Sequence, residues 1–207
     1  MLFRSFREFY QVAQINSICV LPLYHVSGLM QLIRSLLTDG QIVISNLTNI
    51  ASLNLSIDLG NYFISLVPTQ LHKLLALDPG WLQQFHTILL GGAPPSIELL
   101  AQARRAQLPL ALTYGMTETA AQITSLKPAE FLAGNQSCGR VLPHVEIELR
   151  ATAADGIGMI CIKSKSMMLG YFPAINPVTY FEPDDLGKID RQGYLTILGR
   201  QDRKSVV

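Results

Sequence analysis

The sequence predicts an α/β fold: a doubly wound, mostly parallel sheet with helices on both faces, followed by an antiparallel β subdomain. Three observations carry that prediction. Through the first 126 residues, short continuous apolar runs alternate with amphipathic helical patterns, as expected of strands covered on both faces by crossover helices. After about Lys127 the helical period disappears, and short or alternating strand patterns follow one another between Gly and Pro turns. Of the 207 residues, 49% are hydrophobic and only 15% charged, the composition of a chain that buries a sizeable core.

Each element follows from spacing. Phe6, Phe9, Tyr10 and Ala13 recur at helical intervals, and Ile18 to Leu21 form an apolar run ended by Pro22, so the first pair is helix then strand. Leu29, Leu32, Ile33, Leu36 and Leu37 follow the i, i+3, i+4, i+7 pattern of a second helix, with Gly40 as its stop and a strand at Ile42 to Ile44. The cycle repeats with a strand at Tyr62 to Val67, a Pro68-started helix carrying Leu71, Leu74 and Leu75, a strand at Thr87 to Leu90, and a helix from about Pro95 to Arg105. A strand at Leu110 to Tyr114 closes the series. Beyond it, Val145, Ile147 and Leu149 alternate with Glu146 and Glu148, and Met159 to Lys163, Leu186 to Ile189 and Tyr194 to Leu198 read as further strands. Turn signals at Asp155-Gly156 and Gln192-Gly193 join them. The expected units are an α/β subdomain at 1–126, a β subdomain at 127–199 and a hinge segment at 200–207.

Composition narrows the function classes. A formal net charge of +1 supplies no basic field for a nucleic-acid backbone or an anionic membrane, so small molecules are the expected partners. Cys19, Cys138 and Cys161 lie far apart without CxxC spacing, and the four histidines form no ligand pattern, which fits reduced thiols in a cytoplasmic protein. The first residues carry Arg4, Arg7 and Glu8 and no apolar signal core, and no apolar run approaches the length of a membrane span. Nothing in the sequence decides for or against a homo-oligomer.

The chemistry concentrates at strand ends. Leu112 to Ile123 is an apolar strand that breaks at Gly115 into Thr117, Glu118 and Thr119, placing hydroxyls, backbone donors and one carboxylate where open α/β sheets hold their ligands. Such a set suits phosphate oxygens and a magnesium ion shared with them; equally, Gly115 could turn the chain and Thr117 and Glu118 cap a following helix. Gly91-Gly92-Ala93-Pro94 follows another strand and either lets a backbone approach a flat ligand or makes an ordinary strand-to-helix turn. Pro22 to Gly28, with His25 and Ser27, lies between a strand and a helix, where His25 alone reads as a structural histidine. Asp184-Asp185 before Leu186-Gly187 could bind vicinal hydroxyls or form a turn, and Gly199 to Asp202 is a charge cluster or a solvated loop.

Taken together and in order, PLYHVSG, GGAP, TYGMTET, DDLG and GR-x-D resemble the adenylate-forming acyl-CoA synthetase superfamily over essentially the whole chain. PLYHVSGLMQLIRSLL and TYGMTETAAQITSL narrow the resemblance to the branch that activates o-succinylbenzoate in menaquinone and phylloquinone synthesis. The resemblance implies two steps: a carboxylate attacks the α-phosphate of ATP to give an acyl-adenylate, then the thiol of coenzyme A displaces AMP. It implies that Tyr114, with Gly115 beside it, flanks the adenine, that Thr117 holds the α-phosphate and that Glu118 positions magnesium. Gly91, Gly92 and Ala93 would line the adenine and acyl pockets, Asp185 and Arg200 would reach the ribose, and Asp202 would be the hinge of a lid. His25 would border the carboxylate, with Ser27 and Gly28 shaping the wall. Arg34 is a candidate for pairing a second carboxylate of the substrate, against the plainer reading of a solvent-facing helix arginine.

The chain also departs from the superfamily pattern. Pro183-Asp184-Asp185 replaces the usual Thr-Gly-Asp, which stiffens the entry and adds a carboxylate. No Ser/Thr/Gly-rich loop ending in Lys occurs, and no lid with a catalytic lysine follows the hinge, Lys204 being too close to it. The expectation is therefore a fragment with weak or absent ligase turnover, since those cations meet the transferring phosphate. The alternatives are a non-catalytic module that binds AMP or an acyl-adenylate, and a ligase for another fatty or aryl acid.

Overall fold

Four parallel strand pairings build the first half of the molecule. The computed structural model describes residues 2–47 and 57–200. Its elements run α1 (Leu2–Tyr10), β1 (Asn16–Cys19), α2 (Val26–Leu36), β2 (Ile42–Ile44), β3 (Tyr62–Leu66), α3 (Pro68–Leu77), α4 (Pro79–Gln83), β4 (Thr87–Leu90), α5 (Ile97–Arg105) and β5 (Leu110–Met116). There follow β6 (Ala121–Ser125), α6 (Pro128–Leu132), β7 (Arg140–Val141), β8 (Val145–Arg150), β9 (Gly158–Ser164), β10 (Asp185–Ile189) and β11 (Leu195–Arg200). The large sheet has the order β2-β1-β3-β4-β5-β6-β7, parallel from β2 to β5 and antiparallel at β6 and β7. The second sheet, β11-β10-β9-β8, is antiparallel throughout.

Side-chain alternation explains why the parallel strands are apolar on both faces. Ile18, Ile64, Ile88, Leu90, Leu110 and Leu112 belong to one core with Leu71 and Leu74 of α3 and Leu99, Leu100 and Ala103 of α5. Phe63, Leu89 and Ala111 point the other way, into a cluster with Phe6, and the Phe6 and Tyr10 rings meet Phe63 with centroids at 4.9 and 5.2 Å. Each fully buried Leu or Ile side chain contributes about 1.5–3 kcal/mol relative to exposure. The helices are bounded locally: Ser96 Oγ accepts from Leu99 N–H at the start of α5, and Val67 N–H donates to Gln70 Oε1 at the start of α3, where Pro68 occupies the first turn.

Helix α2 departs from its sequence pattern. The stripe that the periodicity marks is largely outside, with Leu29, Leu36 and Leu37 exposed, while Gly28, Met30, Gln31, Arg34 and Ser35 are buried. Small residues permit that face to pack closely: a Cβ on Gly28 would lie 2.2 Å from the Pro22 carbonyl oxygen, and Ser35 Oγ donates to Ser17 Oγ of β1 at 3.4 Å. The buried face thus carries polar groups into the molecule, which a count of apolar residues does not reveal.

The segment after Tyr114 is corrected as well. No helix follows Gly115; a single 3-10 turn, Thr117–Thr119, leads into β6, so Leu112 to Ile123 is a hairpin. Two short elements beyond Lys127 escape the sequence pattern, α6 and the two-residue β7, because neither is long enough to display a period. Strand β7 extends the large sheet, so that sheet takes residues from both sides of Lys127.

The sheets are joined at several points. Cys138 N–H donates to the Leu195 carbonyl at 2.8 Å and Leu195 N–H to that of Gly139 at 2.9 Å. Nearby, Glu130 Oε1 accepts from both Tyr194 Oη and the Arg140 guanidinium at 2.7 Å, with Arg140 stacked 4.0 Å from the Tyr194 ring centroid. These contacts fix β10 and β11 against the edge of the large sheet.

Candidate functional site

Strand order reverses between β1 and β3, and open α/β sheets bind ligands at such a point, beyond the carboxyl ends of the strands. A cavity of about 480 Å³ lies there. Its wall takes His25 from the β1–α2 connection, Ser27 and Arg34 from α2, Leu66 and Val67 at the end of β3, Gly91 and Gly92 after β4, and Thr113, Gly115, Thr117, Glu118 and Gln122 from the β5–β6 hairpin. Eight of the residues singled out from sequence therefore share one wall: His25, Ser27, Arg34, Gly91, Gly92, Gly115, Thr117 and Glu118. Gly28, Ala93, Tyr114, Asp185 and Arg200 are not part of that lining, and Asp202 lies outside the described residues.

Glycines keep the cavity open where backbones converge. A Cβ on Gly91 would stand 2.5 Å from Thr113 Oγ1, and Gly92 has φ of 80°. Gly115 faces its own hairpin partner, where a Cβ would come within 2.1 Å of the Ala121 carbonyl oxygen. The hairpin is further shaped by left-handed Ala120 and Ala121, φ 53° and 86°, a conformation that costs free energy for residues with a Cβ. Thr119, wholly buried, compensates: its hydroxyl accepts from Met116 N–H at 3.1 Å and donates to the Ala121 carbonyl at 2.9 Å.

Arg34 is not a solvent-facing helix arginine. It is only 4% exposed, its guanidinium stacks 4.5 Å from the Phe6 ring centroid, and its Nε has no acceptor. Burial pulls its pKa down to about 10, so it remains a cation at neutral pH. Among the described residues no carboxylate pairs with it. Gln122, also buried on this wall, interacts through its side chain with the Tyr10 hydroxyl. Sequence reasoning passed over Gln122; the available signal was its register on the strand after Thr119, visible only once that strand is recognised. His144, outside that lining, carries an imidazole whose nitrogens are both buried and unpartnered, and burial followed by the Arg34 charge lowers its pKa to about 4. His25 is exposed, caps α2 through its carbonyl, which accepts from Leu29 N–H at 2.9 Å, and packs on Tyr24.

On the hairpin, Thr117 is exposed and Glu118 half-buried. The Tyr171 hydroxyl donates to Glu118 Oε1 at 2.8 Å, a contact that the sequence reading did not anticipate. Among the described residues no cluster of three or more His, Cys, Asp or Glu could cage a metal. A single carboxylate on the cavity wall fits magnesium, which is usually held by one or two carboxylates, water and the phosphates of its substrate.

Asp185 and Arg200 are cross-strand partners on β10 and β11. Asp185 accepts from the Tyr114 hydroxyl at 2.5 Å, linking the small sheet to β5. Burial first, and that bond second, push the Tyr114 pKa far up, so its proton stays on the phenol. Arg200 lies 3.9 Å from Asp184 Oδ2, and both side chains are exposed, so this pair adds little to stability.

With its doubly wound sheet and the cavity at its switch point, the chain belongs to the AMP-binding enzyme family, whose model matches residues 3–172. It is 34% identical over 193 residues to the 2-succinylbenzoate–CoA ligase of Lactococcus lactis subsp. lactis (strain IL1403), covering 93% of this chain and 42% of that one. Among solved structures it resembles o-succinylbenzoate coenzyme A synthetase (MenE) from Bacillus subtilis in complex with ATP and magnesium ion, with a TM-score of 0.83 and 28% identity over 96% of this chain and 44% of that one. The same enzyme in complex with the acyl-adenylate intermediate OSB-AMP gives a TM-score of 0.84 at 28% identity, covering 97% and 44%. The chain spans about two-fifths of the length of the curated relatives it matches. Among the described residues no helix is long and apolar enough to cross a membrane.

Proposed function

We propose that the chain supplies the acid- and nucleotide-binding face of an AMP-forming carboxylate–CoA ligase whose acid carries a second carboxylate, with o-succinylbenzoate as the substrate. The observation that carries this reading is Arg34, a buried cation with no anionic partner among the described residues, on the wall of a cavity that Thr117 and Glu118 also line. A buried charge left uncompensated costs several kcal/mol, so a ligand anion that pairs with it gains binding free energy no neutral acid can.

Each side chain then has a task. Arg34 takes the distal carboxylate of the acid and thereby directs its reacting carboxylate toward the hairpin. His25 and Ser27 border that path, with Gly28 holding the wall behind them. Gly91, Gly92 and Ala93, with Gly115, leave room for the adenine and acyl groups, and Tyr114 flanks the base. Asp185, with Arg200 across the strand pair, takes the ribose hydroxyls. Thr117 donates to the α-phosphate, and Glu118 holds magnesium, which when bound neutralises phosphate charge. The reacting carboxylate oxygen bonds to the α-phosphorus of ATP as pyrophosphate leaves; the sulfur of coenzyme A then bonds to the acyl carbon as AMP leaves and the thiol proton passes to solvent. Positioning and charge neutralisation supply most of the acceleration in such transfers. The complexes of the Bacillus subtilis enzyme with ATP and magnesium ion and with OSB-AMP support this assignment.

Titration calorimetry tests the reading. The chain is expected to bind AMP and o-succinylbenzoate, to lose the acid in Arg34→Met while keeping AMP, and to lose AMP in Asp185→Ala. Equal affinity for o-succinylbenzoate and benzoate would remove the second carboxylate from the assignment, and indifference of AMP binding to Asp185→Ala would remove the ribose contact.

A further inference from the structure

The segment that follows β9 is fastened to the hairpin at three points, all on the residue pair Glu118 and Thr119. Ser166 Oγ donates to the Thr119 carbonyl at 2.9 Å, Met168 N–H donates to the Glu118 carbonyl at 2.8 Å, and the Tyr171 hydroxyl donates to Glu118 Oε1 at 2.8 Å. Two of these bonds hold the backbone of Glu118–Thr119; the third holds the carboxylate itself. Among the described residues no side chain donates to Oε2.

We infer that Tyr171 is a positioning residue that makes Glu118 a one-oxygen metal ligand and so favours magnesium over calcium. The inference rests on the reading of Glu118 as the metal contact. With Oε1 accepting from a phenol, Oε2 keeps all its lone pairs, and a metal chelated by both oxygens would have to share Oε1 with that hydrogen bond. Magnesium, small and octahedral, takes carboxylates through one oxygen and keeps much of its water, whereas calcium is larger and readily accepts both oxygens of one carboxylate. A donor fixed on one oxygen therefore penalises calcium and orients the remaining lone pairs for magnesium. Tyr171 is 64% exposed, so replacing its hydroxyl leaves the core untouched.

The test is equilibrium binding of ATP to this chain in magnesium chloride or in calcium chloride, with AMP in metal-free buffer as the reference. Tyr171→Phe is expected to lower the magnesium-over-calcium preference by about tenfold, the usual scale for removing a hydrogen bond that orients a metal ligand, with AMP affinity unchanged. A role confined to loop packing would weaken both nucleotides and leave the preference where it was. Should Tyr171→Phe keep the preference while Glu118→Gln loses metal dependence, Tyr171 does not position the carboxylate, although the metal assignment stands. Retention of metal dependence in Glu118→Gln overturns the metal assignment and this inference with it, and binding of neither nucleotide by the unsubstituted chain overturns both.

Discussion

The Tyr114 hydroxyl donates to Asp185 Oδ2 at 2.5 Å across 71 positions of sequence, joining the last parallel strand of the large sheet to the third strand of the small one. The bond sets the carboxylate proposed for the ribose at a fixed place relative to the hairpin. Tyr114→Phe should cost about 1–2 kcal/mol in urea unfolding, the scale of a partly buried hydrogen bond to a charged acceptor. Combined with Asp185→Asn it should cost less than the sum of the two single losses. Additive losses in that double-mutant cycle would mean the bond contributes nothing to coupling the sheets.

Arg34 predicts an exchange of stability against binding. Arg34→Met removes an uncompensated buried charge while keeping much of the apolar stem, so the ligand-free chain should gain about 1–3 kcal/mol in stability. Affinity for o-succinylbenzoate should fall about 10- to 100-fold with the loss of the charge-assisted bonds. Thermal unfolding with and without the acid reads both effects; a less stable Arg34→Met would show that Phe6 stacking outweighs the desolvation of the guanidinium.

His144 predicts a pH dependence with a definite sign. Its pKa falls from 6.5 to about 4 in the folded chain, through burial first and the Arg34 charge second. Between those values the unfolded chain binds the proton and the folded chain does not, so stability declines as pH drops from about 6.5 toward 4. The group is half-buried and solvent screens part of the effect, which leaves a loss on the order of 1 kcal/mol. Denaturant unfolding at pH 7 and pH 5 should show His144→Gln losing less stability than the parent chain, since carboxylates titrate alike in both.

Gly115 tolerates no side chain. Its Cβ would stand 2.1 Å from the Ala121 carbonyl oxygen and 2.6 Å from the Gln122 Cα, both backbone atoms of a paired strand. Gly115→Ala should cost about 3 kcal/mol and weaken AMP binding by displacing the hairpin that bears Thr117 and Glu118. A variant with parental stability and affinity would show that the hairpin can shift without disturbing the site.

The parallel strands were legible as apolar runs and their longer helices by their period: Thr87 to Leu90 matches strand β4 at both ends, and Pro68 marks the first residue of α3. Of the candidates named from sequence, seven from strand-end motifs together with Arg34 of α2 line one cavity. Three features were not legible. The β5–β6 hairpin hid because Ala120 and Ala121 adopt left-handed conformations that alanine rarely signals. Gln122 hid because its strand was unrecognised, and Tyr171 because its contact with Glu118 spans 53 positions between loops without any period.

By itself the sequence determined the α/β class, the succession of elements and the strand ends where polar chemistry gathers, since these depend on backbone sterics and on local hydrophobic spacing. Only the tertiary structure decided which face of α2 is inside, and with it whether Arg34 meets water or a cavity. It also decided that Asp185 is held by Tyr114 and Glu118 by Tyr171. Packing chose those outcomes: small residues at Gly28 and Ser35 let the polar face of the helix approach the sheet, and the joined sheets bring together groups that no local interaction could pair.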